Sequence, residues 1–280
     1  MVMLIHRPKP PPDMVSHSMV EELNKCERAF YYSRILGMER RDAVQTYPGS
    51  THHRAYELAF GKAKLPASDA AWQAIEANRE NLESVKVDLD GIHHEIVTRI
   101  GELHFMVTPA GVIQTELKFG PRDGMPYRGY IDVQAERTPV ISDDGKSVVD
   151  WIEEGCVWDY KVVSGRRSRS QRDADFSPQL ALYALNGGVK HAGFVEIRRD
   201  LEKPIKYRFT TYSDKQLETW RRWFIDQGHA LLQRWRDTHT EDQGPSRWRQ
   251  TQPSNPLCSP LYCEHWNMCY GCVTAKPKGN

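Results

Sequence analysis

Cys156-Val157-Trp158-Asp159-Tyr160-Lys161-Val162-Val163 is an apolar, β-type run with a carboxylate and an ammonium set two residues apart inside it. A second such run, Tyr127 to Ala135, contains Gly129-Tyr130-Ile131-Asp132 and so carries a carboxylate of its own. Side chains alternate along a strand, which puts Asp159 and Lys161 on one face. Val112 to Phe119 and Val148 to Trp151 are further short strand signals, with a turn at Asp143-Asp144-Gly145-Lys146 before the latter. Ala192 to Arg198 and Ile205 to Thr211 predict a closing hairpin.

Helical signals lie on both sides of this block. Ser16 or Ser18 can cap a helix over Met19 to Ile35, and Gly49 to Phe60 and Ala67 to Val85 predict two more. Ile92, Ile96, Ile100 and Leu103 favour a helix across 89–108. Phe176 to Leu185 has helical spacing and stops at Asn186-Gly187-Gly188. Ser213-Asp214 can cap a long helix to Arg236, with Leu217, Trp220, Phe224, Leu231 and Trp235 on one face. This order predicts an α/β fold read as one domain over 16–280. A mixed-sheet core lies at about 110–212, a helical arm at 16–108, and a closing helix with a Cys-rich tail at 213–272. Residues 1–15, through Pro10-Pro11-Pro12, read as a flexible lead-in.

The 280 residues carry 38 Lys and Arg against 37 Asp and Glu, a net charge of +1, so any nucleic-acid footprint must be local. No apolar run approaches the length of a membrane span, and the N-terminal apolar stretch is too short for a signal peptide. Six cysteines without a secretory signal suit a reducing compartment and metal binding. The expected location is the cytoplasm.

Burying two carboxylates and an ammonium in a sheet costs several kcal/mol unless they are paired or hold a metal. Asp132 and Asp159 suit Mg²⁺, which takes one or two protein carboxylates and leaves positions for water and phosphate. Lys161 could then orient or deprotonate an attacking water. An ordinary Asp–Lys ion pair on a sheet edge is the other reading of the same residues. Gln179 and Tyr183 sit one helical turn apart on one face, and so do His53 and Glu57 after Gly49-Ser50-Thr51-His52. Cys258-x₄-Cys263-x₅-Cys269-x₂-Cys272 is a dense thiolate set, and Cys-x₂-Cys spacing with His265 nearby suits a tetrahedral zinc site. Cys156 reads as a buried small apolar residue.

Taken in order, Cys26-Glu27-Arg28-Ala29-Phe30-Tyr31-Tyr32, Gly49…His53…Glu57, Gly129-Tyr130-Ile131-Asp132, Asp159-Tyr160-Lys161 and Gln179…Tyr183 resemble the RecB-type branch of the PD-(D/E)XK nucleases. That branch includes the CRISPR-associated RecB-like exonucleases and their phage relatives, and the match runs from about Ser16 to Cys269. The resemblance implies a restriction-endonuclease-like mixed β-sheet core flanked by helices and a Mg²⁺- or Mn²⁺-dependent DNA exonuclease. His53, Asp132, Asp159 and the backbone carbonyl of Tyr160 would be metal ligands, with His52 next door as the alternative histidine. Lys161 would be the catalytic lysine, and Gln179 and Tyr183 would position DNA or the site network. Glu116 reads either as an outer carboxylate or as a solvated strand position.

The cysteines resemble the iron–sulfur variant of the same family, in which one cysteine near the first helix joins three at the C-terminus around a [4Fe–4S] cluster. Here these would be Cys26, Cys258, Cys263 and Cys269, with Cys272 as the alternate ligand, and the cluster would close the tail onto the first helix. The tail departs from the family pattern. Four residues separate its first two cysteines where two are usual, and Cys26 precedes Glu27 where proline is usual. Ser164 to Arg172, with Arg166, Arg167, Arg169 and Arg172, reads as a flexible basic loop directly after Lys161 and so as a DNA contact. Arg28, Tyr31 and Tyr32 could combine charge with base stacking, or the tyrosines could be core. The expected substrate is DNA that is single-stranded or has free ends, with a recombination or helicase partner and a homo-oligomer both compatible. The rival readings are a non-catalytic DNA-binding or complex-assembly module and a CRISPR spacer-processing nuclease working with an integrase.

Overall fold

A computed structural model describes residues 8–38, 46–164 and 168–240, together with Trp248. The described residues fall into two compact units. One comprises 8–38, 123–128 and 225–240 with Trp248, and the other comprises 46–122, 129–164 and 168–224. No helix among them is long and apolar enough to cross a membrane.

In the larger unit, five strands form a mixed sheet. They are β1 (Val112–Phe119), β2 (Gly129–Ala135), β5 (Cys156–Val163), β6 (His191–Arg198) and β7 (Lys206–Thr211), in that spatial order. A separate hairpin joins β3 (Thr138–Ile141) to β4 (Val148–Ile152) through the expected Asp-Gly turn. All pairs in the large sheet are antiparallel except β5 with β6. A parallel pair needs a crossover, and α7 (Gln171–Asp175) with α8 (Pro178–Gly187) supplies it. Ser177 caps α8, Pro178 takes the first helical turn, and Gly188 ends the helix at φ +67°.

The opposite face of the sheet is covered by α3 (Thr46–Phe60), α4 (Ala67–Ala77), α5 (Arg79–Ser84) and α6 (Leu89–Ala110). Ala55, Tyr56, Ile75, Ile96, Leu103 and Met106 pack there with Val133, Trp158, Tyr160 and Val195 in one apolar core. Arg99 on α6 is fully buried, and its guanidinium donates to the carbonyls of Arg198, Asp200 and Lys203 at 2.6–2.9 Å. It thereby satisfies the backbone of the turn between β6 and β7.

The smaller unit begins with α1 (His17–Lys25), capped by Ser16, whose Oγ accepts the Met19 N–H at 3.3 Å. α2 (Glu27–Phe30) follows and continues into a π-helical turn at Tyr31–Ile35. The last helix, α9 (Asp214–Thr240), starts in the larger unit and ends in the smaller one. Within the smaller unit Trp248 stacks on Phe30 at 5.8 Å, and the Arg234 guanidinium lies 4.0 Å from its centroid.

Three expectations need correction. The helix expected over 19–35 is broken at Cys26, which is extended at φ −163° and caps α2 by accepting the Ala29 N–H. The helix expected over 67–85 breaks at Asn78. The basic loop expected through Arg172 is already helical from Gln171, because Ser170 and Asp173 form a capping box. β3 carried too few residues to register as a strand by itself.

Candidate active site

The ladder between β2 and β5 registers only from Ala135↔Cys156 to Val133↔Trp158. One residue further on, the carboxylate of Asp132 replaces the backbone partner: its Oδ2 accepts the Tyr160 N–H at 2.7 Å. The strands part at this point, and the polar residues collect in the opening.

One group gathers around Asp132. Thr115 pairs with Val133 and Leu117 with Ile131, so Glu116 lies opposite Asp132. His53 reaches in from α3, with Nδ1 3.3 Å from Asp132 Oδ2. Ligand atoms of His53, Glu116 and Asp132 all lie within 4.8 Å of one another. Glu116 is held at φ +51°, a conformation that costs a non-glycine residue of order 1 kcal/mol and that clusters at functional sites. Burial raises its carboxyl to about 7, and the charges of Asp132 and Glu57 add to that. Burial alone would lower His53, but its hydrogen bond to Asp132 and the charges of Asp132 and Asp159 outweigh it, and its pKa is raised.

A second group is centred on buried Asp159. Lys161 Nζ lies 2.5 Å from Asp159 Oδ2. The Gln179 amide donates to Asp159 Oδ1 at 2.8 Å and to Tyr183 Oη at 2.9 Å. Burial raises the Asp159 carboxyl, Lys161 opposes this, and the charge of Asp132 adds to it. Tyr183 is pushed well above its ordinary value by burial and the two nearby aspartates, so it stays a neutral hydroxyl. Lys161 Nζ and the Arg169 guanidinium both lie over the Phe194 ring, at 5.6 and 5.0 Å from its centroid.

The two adjacent histidines separate cleanly. His52 is fully buried, with Nδ1 2.8 Å from the Tyr56 hydroxyl and Nε2 2.9 Å from Glu95. Successive residues on a helix point in different directions, and only His53 faces Asp132. Of the other expected ligands, Asp159 lies beside the first group with its oxygens engaged by Lys161 and Gln179. Tyr160 meets Asp132 through its backbone N–H. Glu116 is the residue whose place the sequence left open, and its register opposite Asp132 is the signal that finds it.

Some expected residues lie elsewhere. Tyr31 and Tyr32 are only 4% and 5% exposed and pack edge to face, with Tyr31 also against Trp248. Of the two readings the sequence left for these tyrosines, this burial favours the core. Arg28 donates to the Trp248 carbonyl at 3.4 Å. Arg166, Arg167, Cys258, Cys263, Cys269, Cys272 and His265 lie outside the described residues.

Comparison with known proteins decides the family. Residues 14–270 match the sequence model of the PD-(D/E)XK nuclease superfamily. The chain belongs to that superfamily. Asp159-Tyr160-Lys161 spells the (D/E)XK element of the name, and Asp132 follows Ile131 where the name has proline. The five-stranded mixed sheet flanked by helices is the restriction-endonuclease-like PD-(D/E)XK architecture. The crystal structure of a candidate exonuclease from Eubacterium rectale superposes with a TM-score of 0.53 and 13% identity, over 95% of this chain and 91% of that one. At that identity the likeness concerns the fold. A second solved structure, SSO0001, gives a TM-score of 0.27 at 15% identity, over 81% of this chain and 87% of its own, and carries no argument. No curated protein sequence matches the chain.

Proposed function

We propose that this chain is a Mg²⁺- or Mn²⁺-dependent deoxyribonuclease that removes nucleotides from single-stranded DNA ends, in phage or bacterial recombination, replication or repair. The observation that carries the reading is the adjacency of the two groups. Two carboxylates and an imidazole stand beside a lysine paired with the buried Asp159. One imidazole and two carboxylates fit Mg²⁺ or Mn²⁺, and the mutual repulsion of Glu116 and Asp132 would be relieved by a divalent cation. His53, Glu116 and Asp132 would hold it, with Asp159 at its edge.

A divalent cation supplies Lewis-acid stabilisation of charge on a phosphoryl oxygen. The protein's own residues do the rest. Asp159 anchors Lys161, whose partly exposed ammonium can orient the attacking water and steady the developing charge. Gln179, held between Asp159 and Tyr183, fixes the orientation of the Asp159 carboxylate. Arg169, beside Lys161 over Phe194, offers a phosphate contact on the path of the strand. The name of the Eubacterium rectale structure supports an exonuclease over other nuclease modes.

A [4Fe–4S] cluster held by Cys26 and the tail cysteines is part of the same proposal. It is supported by the position of Cys26 at the break between α1 and α2, four residues before Phe30, on which Trp248 stacks.

The test is a time course on end-labelled linear and on circular single-stranded DNA with Mn²⁺, Mg²⁺ or EDTA, beside Lys161→Ala. Metal-dependent loss of the linear strand alone, absent in the variant, is expected. Cutting of the circle would overturn the exonuclease mode. Cleavage retained by Lys161→Ala would overturn the site.

A further inference from the structure

We propose that two exposed aromatic side chains, Tyr130 on the strand of Asp132 and Phe176 just before the helix of Gln179, each accompanied by a cation, are stacking platforms for the unpaired bases of a single-stranded substrate. The inference rests on the nuclease reading above and names the groups that would select the strand's form.

Along β2 the odd residues Ile131, Val133 and Ala135 are fully buried, whereas Tyr130 is 52% exposed. Tyr130 and Asp132 share one face of β2, one pleat repeat or about 7 Å apart. Across on β1, Lys118 stands opposite Tyr130 just as Glu116 stands opposite Asp132. The chemistry therefore changes within one repeat, from a pair of carboxylates suited to a cation to a ring and an ammonium suited to a base and its phosphate.

Phe176 lies in the crossover, between α7 and the helix that carries Gln179. It is 69% exposed and immediately precedes Ser177, the cap of the helix that carries Gln179. The Arg172 guanidinium lies 5.8 Å from its ring centroid. The mount is firm: Ser170 and Asp173 cap each other, and the Gln171 amide donates to the Phe209 carbonyl at 2.6 Å and to Asp175 at 2.9 Å. The two nearby acids are thus engaged in holding α7, and the charge over the ring is that of Arg172.

Core packing does not account for either ring, since neither is buried. In a duplex the base faces are stacked on one another, and only an unpaired base can offer its face to a side chain. Phe105 provides an internal control. It is 82% exposed on α6, which contributes no group to the metal site.

The test measures fluorescence anisotropy of labelled single-stranded, duplex and abasic oligonucleotides on non-cleaving Lys161→Ala protein with Mg²⁺. Adding Tyr130→Ala or Phe176→Ala is expected to weaken single-strand binding roughly 5- to 100-fold, the size of one lost stack. Phe105→Ala is expected to change nothing, and Tyr130→Trp and Phe176→Trp to restore binding. Abasic sites should weaken the parent but cost the alanine variants little more, which separates stacking from a folding defect. A platform whose alanine variant binds single strands within twofold of the parent is struck out. Equal losses on duplex and single strand, or a parent that binds no single-stranded DNA, overturn the inference. Metal-dependent cleavage by wild type with unaltered binding in the variants would sink this inference alone. Platform-dependent binding without any cleavage would instead sink the nuclease reading.

Discussion

The Asp132 carboxylate accepts the backbone N–H of Tyr160 at 2.7 Å, at the point where the β2–β5 ladder ends. A side chain here closes a gap in a sheet and faces a proposed metal site, so structural and chemical roles coincide in one residue. Asparagine keeps an oxygen acceptor without the charge, and alanine keeps neither. Asp132→Ala is expected to cost about 1–3 kcal/mol in urea unfolding with EDTA present, and Asp132→Asn markedly less. Both should lose metal-dependent cleavage. Equal destabilisation by the two variants would show that the acceptor is not what matters.

Lys161 is the counter-charge of a buried carboxylate. Lys161→Ala should therefore abolish cleavage and also destabilise, by about 1–3 kcal/mol given that the lysine is partly exposed. Adding Asp159→Asn removes the uncompensated charge and should recover stability without recovering activity. Additive losses in the double variant would contradict this coupling.

Glu116 holds its proton up to about pH 7 in the fold, against an ordinary value of 4.5. The native state thus binds that proton more tightly than the unfolded chain. Its contribution to metal-free stability is full below about 4.5 and is lost as pH rises through about 7. Relative to wild type in EDTA, Glu116→Gln should gain Tm between about pH 5 and pH 8 while losing metal-dependent cleavage. A Tm difference that stays constant across that range would remove the claim.

Arg99 satisfies three carbonyls of the β6–β7 turn from inside the core. Arg99→Ala should cost about 3–5 kcal/mol, and Arg99→Lys should rescue little because an ammonium cannot reproduce the planar fork. Chemical denaturation reads this directly. A loss below about 1 kcal/mol would mean that water replaces the guanidinium.

Cys26 discriminates between metal-bound and metal-free tails by the sign of one change. As an N-cap its sulfur accepts the Ala29 N–H at 3.5 Å, and a serine oxygen does this better. Without a cluster, Cys26→Ser should leave stability unchanged or raised. With a cluster it should lower Tm and reduce the iron and sulfide content of anaerobically purified protein. Zinc alone in the wild type would remove the iron–sulfur proposal.

Apolar runs and turn residues placed β1 and β5 to the residue, and helical spacing placed α6 and α8 to within two residues, because these signals are local. The order of Asp132, Asp159-Tyr160-Lys161 and Gln179…Tyr183 likewise marked out residues that the fold brings together, since charged groups in an apolar frame call for partners. The break at Cys26 was hidden, because helix propensity continues through it while the packing of Phe30 on Trp235 and Trp248 sets where the helix turns.

The sequence by itself therefore determined the α/β class, most elements and most of the residue types gathered at the candidate site. Tertiary structure alone decided that Glu116 joins Asp132 and that β5 and β6 run parallel, and it turns His53, the expected histidine, toward Asp132 while burying His52. Those outcomes depend on register between strands distant in sequence and on the rotation of a helix about its axis. Both are fixed by burial of whole faces, which no local run of residues specifies.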